Sequence, residues 1–168
     1  SEFEQALITL GLDSGQPDGA VLTANIDTVR ILSMVGPNFS GLITSLSGIE
    51  DFTVLEVLHC EVNQLTSLDL SNNTKLQKLR CGLNALTSLN LTQNVKLKTL
   101  HCYDNQLSNL DVTNCPALTS LYCEDNLLTA INVSPGILWG SVKGIVKAPS
   151  SKYIAKSDKQ FTVNVSDA

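Results

Sequence analysis

Leucine recurs at a fixed interval of 21 residues: Leu55, Leu76, Leu97 and Leu118, in step with Leu58, Leu79, Leu100 and Leu121. Cysteine keeps the same step at Cys60, Cys81, Cys102 and Cys123, and asparagine at Asn63, Asn84, Asn105 and Asn126. The second half of each unit repeats through Leu65, Leu86, Leu107 and Leu128, then Leu68, Leu89, Leu110 and Ile131. The unit reads L-x-x-L-x-C-x-x-N-x-L-x-x-L-[DN]-[LV]-[ST]-x-x-x-x, and four copies cover residues 55–138. A repeat of this length means stacked coils, each able to bury its apolar side only against its neighbours.

The spacing within the unit selects the kind of coil. In an extended strand successive side chains alternate, so L-x-C turns Leu58 and Cys60 inward and Val57, His59 and Glu61 outward. The asparagine three positions after each cysteine ends the strand. Its amide can satisfy backbone groups of the bend and of the next coil, and stacking turns the four asparagines into a ladder. Leu65-Thr66-Ser67-Leu68-Asp69-Leu70 repeats the strand spacing, which predicts a second extended segment on the other side of each coil. A coil of 21 residues with this pattern leaves no room for a helix of ten or more residues. The repeat also accounts for an odd composition, in which only 5% of residues are aromatic and 16% charged. Stacked leucine and cysteine rows replace the rings that a conventional core uses.

These motifs make the chain resemble leucine-rich-repeat proteins of the short 21-residue bacterial type, as found in Bacteroidetes surface and secreted proteins. The resemblance covers half the chain as strict repeats. It implies a leucine-rich-repeat right-handed solenoid, with parallel β strands on two sides of each coil and little helix apart from an N-terminal capping helix. It also implies a noncatalytic scaffold that binds partners, usually proteins, and an extracellular or cell-surface location. No signal peptide opens the sequence, which begins Ser1-Glu2-Phe3 and reads as a trimmed start.

The 168 residues favour one domain, 1–168. Residues 1–54 are expected to form an N-terminal cap and a degenerate first coil. Phe3, Ala6, Leu7 and Leu10 lie at helical spacing within residues 1–12, and 13–24 read as a loop. Val29, Leu32 and Met34 then repeat the strand spacing, with Asn38 one residue late, and Leu46, Ile49 and Phe52 lead into Leu55 through a first coil of about 26 residues. Trp139 and Val142 continue the leucine positions, but Gly144 and Lys147 replace the cysteine and asparagine. Residues 139–168 are therefore a C-terminal cap, with Trp139 as lid and a strand at 160–165, or the start of a following module.

Several kinds of chemistry are disfavoured. A net charge of -5 and a pI near 4.8 argue against gripping nucleic acid. No apolar run approaches the roughly 20 residues that span a bilayer. The four ladder cysteines stand side by side about 4.8 Å apart, a row that neither aims pairs of Cβ atoms together nor converges on a zinc ion, so they are read as buried thiols. Cys115 takes the turn position of Asn73 and Asn94 and is read as a partly buried thiol. His59 and His101, two coils apart with Arg80 between them, sit about 9.6 Å apart and cannot share a metal. The loop holding Asp13, Ser14, Asp18 and Gly19 lacks the spacing and closing glutamate of a calcium loop and reads as a turn. No nucleophile–histidine pair or phosphate loop occurs, so neither catalysis nor a cofactor is expected.

The outward rows of the first strand are where the coils differ. One runs Val57, Lys78, Thr99, Ser120; the next His59, Arg80, His101, Tyr122; the third Glu61, Gly82, Tyr103, Glu124; and the flanking row Val62, Leu83, Asp104, Asp125. His59, Lys78, Arg80, His101, Tyr103, Tyr122 and Glu124 are the candidate partner-binding residues, with Arg80, His101, Tyr103 and Tyr122 as anchors. The expected partner is a protein. A glycan stacked on Tyr103 and Tyr122, with hydroxyls held by Asp104, Glu124 and Asp125, is the alternative. A third is a purely structural spacer within a larger surface protein. The opposite row, Thr66, Thr87, Ser108 and Thr129 with Asp69, Asn90, Asp111 and Asn132, reads as a polar, solvated face.

Overall fold

The computed structural model describes residues 1–133 apart from positions 22, 37, 40, 42, 129 and 130. The expected Trp139 lid, the strand at 160–165 and the end of the fourth repeat lie outside the described residues. In chain order the elements are α1 (Glu2–Thr9), α2 (Thr23–Ile26), β1 (Ile31–Ser33), a 3-10 turn at Ile49–Asp51, β2 (Val57–His59), β3 (Lys78–Arg80), β4 (Thr99–His101), β5 (Leu110–Val112), β6 (Ser120–Tyr122) and β7 (Ile131–Val133).

β1, β2, β3, β4 and β6 form one parallel sheet in that order, and β5 pairs with β7 in a second. The register follows the repeat: Leu58 lies against Leu79, Leu79 against Leu100, and Leu100 against Leu121. Leu32 lies against Leu58, which fixes the first coil at the 26 residues expected of it. β2, β3, β4 and β6 each bury their middle residue and half-expose their ends, the alternation that L-x-C demands. All four ladder cysteines are fully buried beneath the sheet, and Leu55, Leu65, Leu76, Leu86, Leu97 and Leu107 close the core from the other walls. Every cysteine is free.

The second side of the coil is less uniform than the repeat implies. Residues 110–112 and 131–133 pair as strands, but the corresponding 68–70 and 89–91 do not. The difference follows the side chains. Val112, Ile131 and Val133 are β-branched and favour extended backbone, where the earlier coils carry Leu68, Leu70, Leu89 and Leu91. Asn132 also donates to Asp111 across the rung at 3.4 Å.

Asparagines bind the coils together, in two rows. Asn105 Nδ2 lies 3.0 Å from the carbonyl of Cys81 in the preceding coil, 3.2 Å from that of Cys102 and 3.1 Å from that of Tyr103. Its Oδ1 accepts from Leu86 N–H at 2.9 Å. Asn63, Asn84 and Asn126 repeat the arrangement. The rungs are therefore joined through backbone, each asparagine bridging two coils. Asn38 is exposed, so the row starts at Asn63, whose amide reaches back to Met34 O. A second row runs through the far turn. Asn73 Nδ2 donates to Ile49 O and Phe52 O, and Asn94 Nδ2 to Leu70 O and Asn73 O. Cys115 is the third member. It is fully buried rather than partly so, with its thiol 3.8 Å from Asn94 O.

The N-terminal helix caps the stack, but it is shorter than residues 1–12. Ser1 and Glu4 form a capping box at its start. Gly11, at φ 73°, ends it with paired bonds from Gly11 N–H to Ile8 O and Leu12 N–H to Leu7 O. Phe3, Ala6 and Leu7 are buried while Leu10 is left partly exposed, and the Phe3 ring sits 6.2 Å from that of Phe52. The loop that follows is tied down by a buried carboxylate: Glu4 accepts from Asp18 N–H and Gly19 N–H. Its last residues turn into α2, which seats Ile26 in the core, a helical turn the loop reading did not anticipate.

Three residues after each of β2, β3, β4 and β6 the backbone turns left-handed: Val62 at φ 60°, Leu83 at 54°, Asp104 at 48° and Asp125 at 53°. Aspartate tolerates this region, whereas a β-branched residue there is strained by about 1–2 kcal/mol. Val62→Asn is accordingly expected to raise unfolding free energy by about 1 kcal/mol, measured as a higher urea midpoint at unchanged slope.

Candidate partner-binding face

The sheet register brings His59, Arg80, His101 and Tyr122 into one row across four adjacent strands. The candidate residues His59, Lys78, Arg80, His101, Tyr103, Tyr122 and Glu124 are all half-buried. Lys78 lies two residues before Arg80, at the entry of β3, in register with Val57 and Thr99.

Contacts divide the face into two parts. At the C-terminal end the rings of His101 and Tyr122 meet edge-on with centroids 4.4 Å apart. The Tyr103 ring covers Gly82, where a Cβ would lie 2.7–2.9 Å from ring atoms. No other residue type leaves room for that ring, so the glycine is the seat of Tyr103. Replacing Gly82 with valine is expected to displace the ring, read as a change in the Tyr103 NMR shifts, with little loss of stability because the moving group is a side chain at the surface. At the N-terminal end Glu61 approaches Arg80 at 3.8 Å. His59 Nε2, Glu61 Oε2 and Arg80 Nε are each shielded and lack a hydrogen-bond partner.

Glu61 and Gly82 were in the outward rows but not among the candidate residues. The signal for Gly82 was its sequence position, a glycine replacing a large side chain between Glu61 and Tyr103 in a row otherwise bulky. Glu61 gave no comparable signal, since an outward glutamate is ordinary until its neighbour is known.

Burial and the neighbouring cations disfavour the charged form of both histidines. Burial lowers the His59 pKa, and Arg80 and Lys78 lower it further against the opposing pull of Glu61. Burial lowers that of His101 too, with Arg80, Lys78 and His59 adding to it. Burial raises the Tyr103 pKa, helped by Glu61 and Asp104. A histidine depressed in the folded state is protonated first in the unfolded chain, so stability is full above about pH 6.5 and declines as pH falls towards the folded value. Asp69, held low by the Ser71 N–H, and Asp111, held low by the Thr113 hydroxyl, act only at lower pH. The urea midpoint is therefore expected to drop between pH 7 and pH 5, and the drop to shrink in the double variant His59→Gln, His101→Gln.

The opposite side has a different purpose. Asp69 accepts from Ser71 N–H, Asn90 from Thr92 N–H and Asp111 from Thr113 N–H, so its polar row closes a turn in each coil. Among the described residues, no cluster of three or more histidine, cysteine or carboxylate side chains converges as a metal site. No helix among them is long and apolar enough to cross a membrane.

A family model for two copies of a leucine-rich repeat matches residues 95–136. Two solved structures from Listeria monocytogenes are similar. One is the functional domain of InlJ, described as including a cysteine ladder, with 27% identity, a TM-score of 0.49, and coverage of 79% of this chain and 35% of that one. The other is an internalin, InlF, with 24% identity, a TM-score of 0.50, and coverage of 66% of this chain and 39% of that one. This chain thus spans little more than a third of the length of either. A search of curated protein sequences gives no match.

Proposed function

We propose that this chain, a leucine-rich-repeat solenoid, is a noncatalytic module that recognises a protein partner through the outward face of its five-stranded sheet. The observation that carries the reading is the contrast between rows. Leucine, cysteine and asparagine positions hardly change from coil to coil, while the outward positions change at nearly every step and gather His101, Tyr103 and Tyr122 near Arg80. Tyrosine, arginine and histidine on a rigid sheet lose little entropy on binding and supply large contact areas. The five strands span roughly 20–24 Å, enough for a small interface. The resemblance to bacterial repeat proteins supports a surface or secreted setting and a role in adhesion.

Capture from bacterial and host cell-surface extracts by the wild-type chain, Arg80→Ala and Tyr122→Ala tests the reading. Loss of the same captured protein in both variants, each folded by its urea midpoint, supports it. Unchanged capture by both removes the anchors. Signal on a glycan array that Tyr122→Ala abolishes, without protein capture, replaces the protein partner with a sugar. Silence in both assays leaves the solenoid as a spacer.

A further inference from the structure

The four residues that follow the strands form a rim with a built-in order. Val62, Leu83, Asp104 and Asp125 occupy the same left-handed backbone station in successive coils, so their side chains leave the rim in the same way at about 4.8 Å intervals. Asp104 and Asp125 suit that station and are exposed. Val62 and Leu83 do not suit it, and both keep a large apolar surface in water, being 40% and 42% exposed. A strained backbone that leaves an apolar side chain in water loses on both counts within the isolated chain, which points to a contact outside it. Tyr103 belongs to the same coil as Asp104, its ring over Gly82 of the preceding coil, and Glu61, Asp104 and Glu124 act on it against the single opposing charge of Arg80.

We propose that this rim receives an extended segment of a partner protein that is apolar at one end and cationic at the other. The apolar residues lie on Val62 and Leu83, and a lysine or arginine crosses the Tyr103 ring to meet Asp104 and Asp125. The inference rests on the strand face being a protein-binding face and adds the chemistry of what it binds. Three coil steps make the rim about 14 Å long, which four or five extended residues cover. Charge complementarity sets the polarity: the two rim carboxylates lie at one end, and the chain's net charge of -5 favours a cationic approach. The face of a tyrosine attracts a cation, and adjacent carboxylates add to the attraction.

Fluorescence anisotropy of the full 168-residue chain against four labelled decapeptides tests this. One peptide has leucines then lysines, one leucines then glutamates, one serines then lysines, and one serines alone. The leucine–lysine peptide is expected to bind at least about tenfold more tightly than the others, and less tightly as salt rises from about 50 to 200 mM. Asp104→Asn with Asp125→Asn, and separately Val62→Asn with Leu83→Asn, are each expected to lower its affinity by about tenfold, since asparagine keeps the left-handed station. Equal binding of the glutamate peptide, no binding above the serine peptide, or indifference to both double variants overturns the proposal. Protein capture lost in Tyr122→Ala but untouched by the rim variants overturns the rim chemistry alone and leaves the protein-binding face standing. A glycan in place of any protein overturns both.

Discussion

Replacing Asn105 with leucine is expected to lower the unfolding free energy by about 4 kcal/mol, the largest effect of any single polar substitution in the repeats. The side chain is buried and serves four backbone groups on two coils: the carbonyls of Cys81, Cys102 and Tyr103 and the N–H of Leu86. Leucine fills the space but leaves these groups facing a hydrocarbon, and each buried group without a partner costs about 1–3 kcal/mol. Asn105→Asp is expected to be no rescue at neutral pH, because it removes the donors and sets a carboxylate against carbonyl oxygens. Urea unfolding followed by circular dichroism measures both. A loss for Asn105→Leu no greater than that for exposed Gln106→Leu would show that the asparagine row does not hold the coils together.

The asparagine row was legible because its spacing is the same as that of the leucines, and a polar residue repeated at an inward step must be bonded to backbone. The second row was less legible. Asn73, Asn94 and Cys115 keep the 21-residue step, but the third changes the side chain, and Pro116 beside it reads as an ordinary turn. Only the carbonyls of Asn73 and Asn94, one coil back in each case, show why a small polar or thiol side chain is wanted there. The face shows the same division. Which residues point outward follows from alternation along each strand. That Tyr103 lies on Gly82, that Glu61 reaches Arg80, and that Val62 and Leu83 are strained depend on rotamers and on backbone between coils, which the repeat does not encode. The second-side strands were over-read for a related reason: L-x-x-L-x-L spacing is common to all coils, but the β-branched residues that favour pairing occur only in 110–112 and 131–133.

The second large effect concerns the thiols. All five are buried, and burial raises every one of their pKa values, to about 12 for Cys81 and Cys123, about 11 for Cys115, and well above the usual range for Cys60 and Cys102. A shift from 9 to about 12 cuts the reactive thiolate by about a thousandfold before access is considered. At pH 7.4 the folded chain is therefore expected to be silent towards a water-soluble aromatic disulfide reagent, and the urea-unfolded chain to release five equivalents of chromophore. If any thiol reacts first on partial unfolding it is expected to be Cys115, whose pKa is the lowest of those raised. Rapid reaction of a ladder cysteine in the folded chain would mean that the sheet does not seal the row beneath it. The same inertness makes free thiols compatible with an oxidising environment, so the odd cysteine carries no information about compartment.

A framework that hardly varies carries one variable face, and the most direct measurement sets the two outer faces against each other. Partner capture from cell-surface extract is compared between Tyr103→Ala with Tyr122→Ala on the sheet and Thr66→Ala with Thr87→Ala on the opposite row, where both threonines are exposed. The expected result is that the tyrosine variant loses the captured protein, that the threonine variant retains it, and that both unfold at urea midpoints close to that of the wild type. Loss in the threonine variant with retention in the tyrosine variant would contradict it.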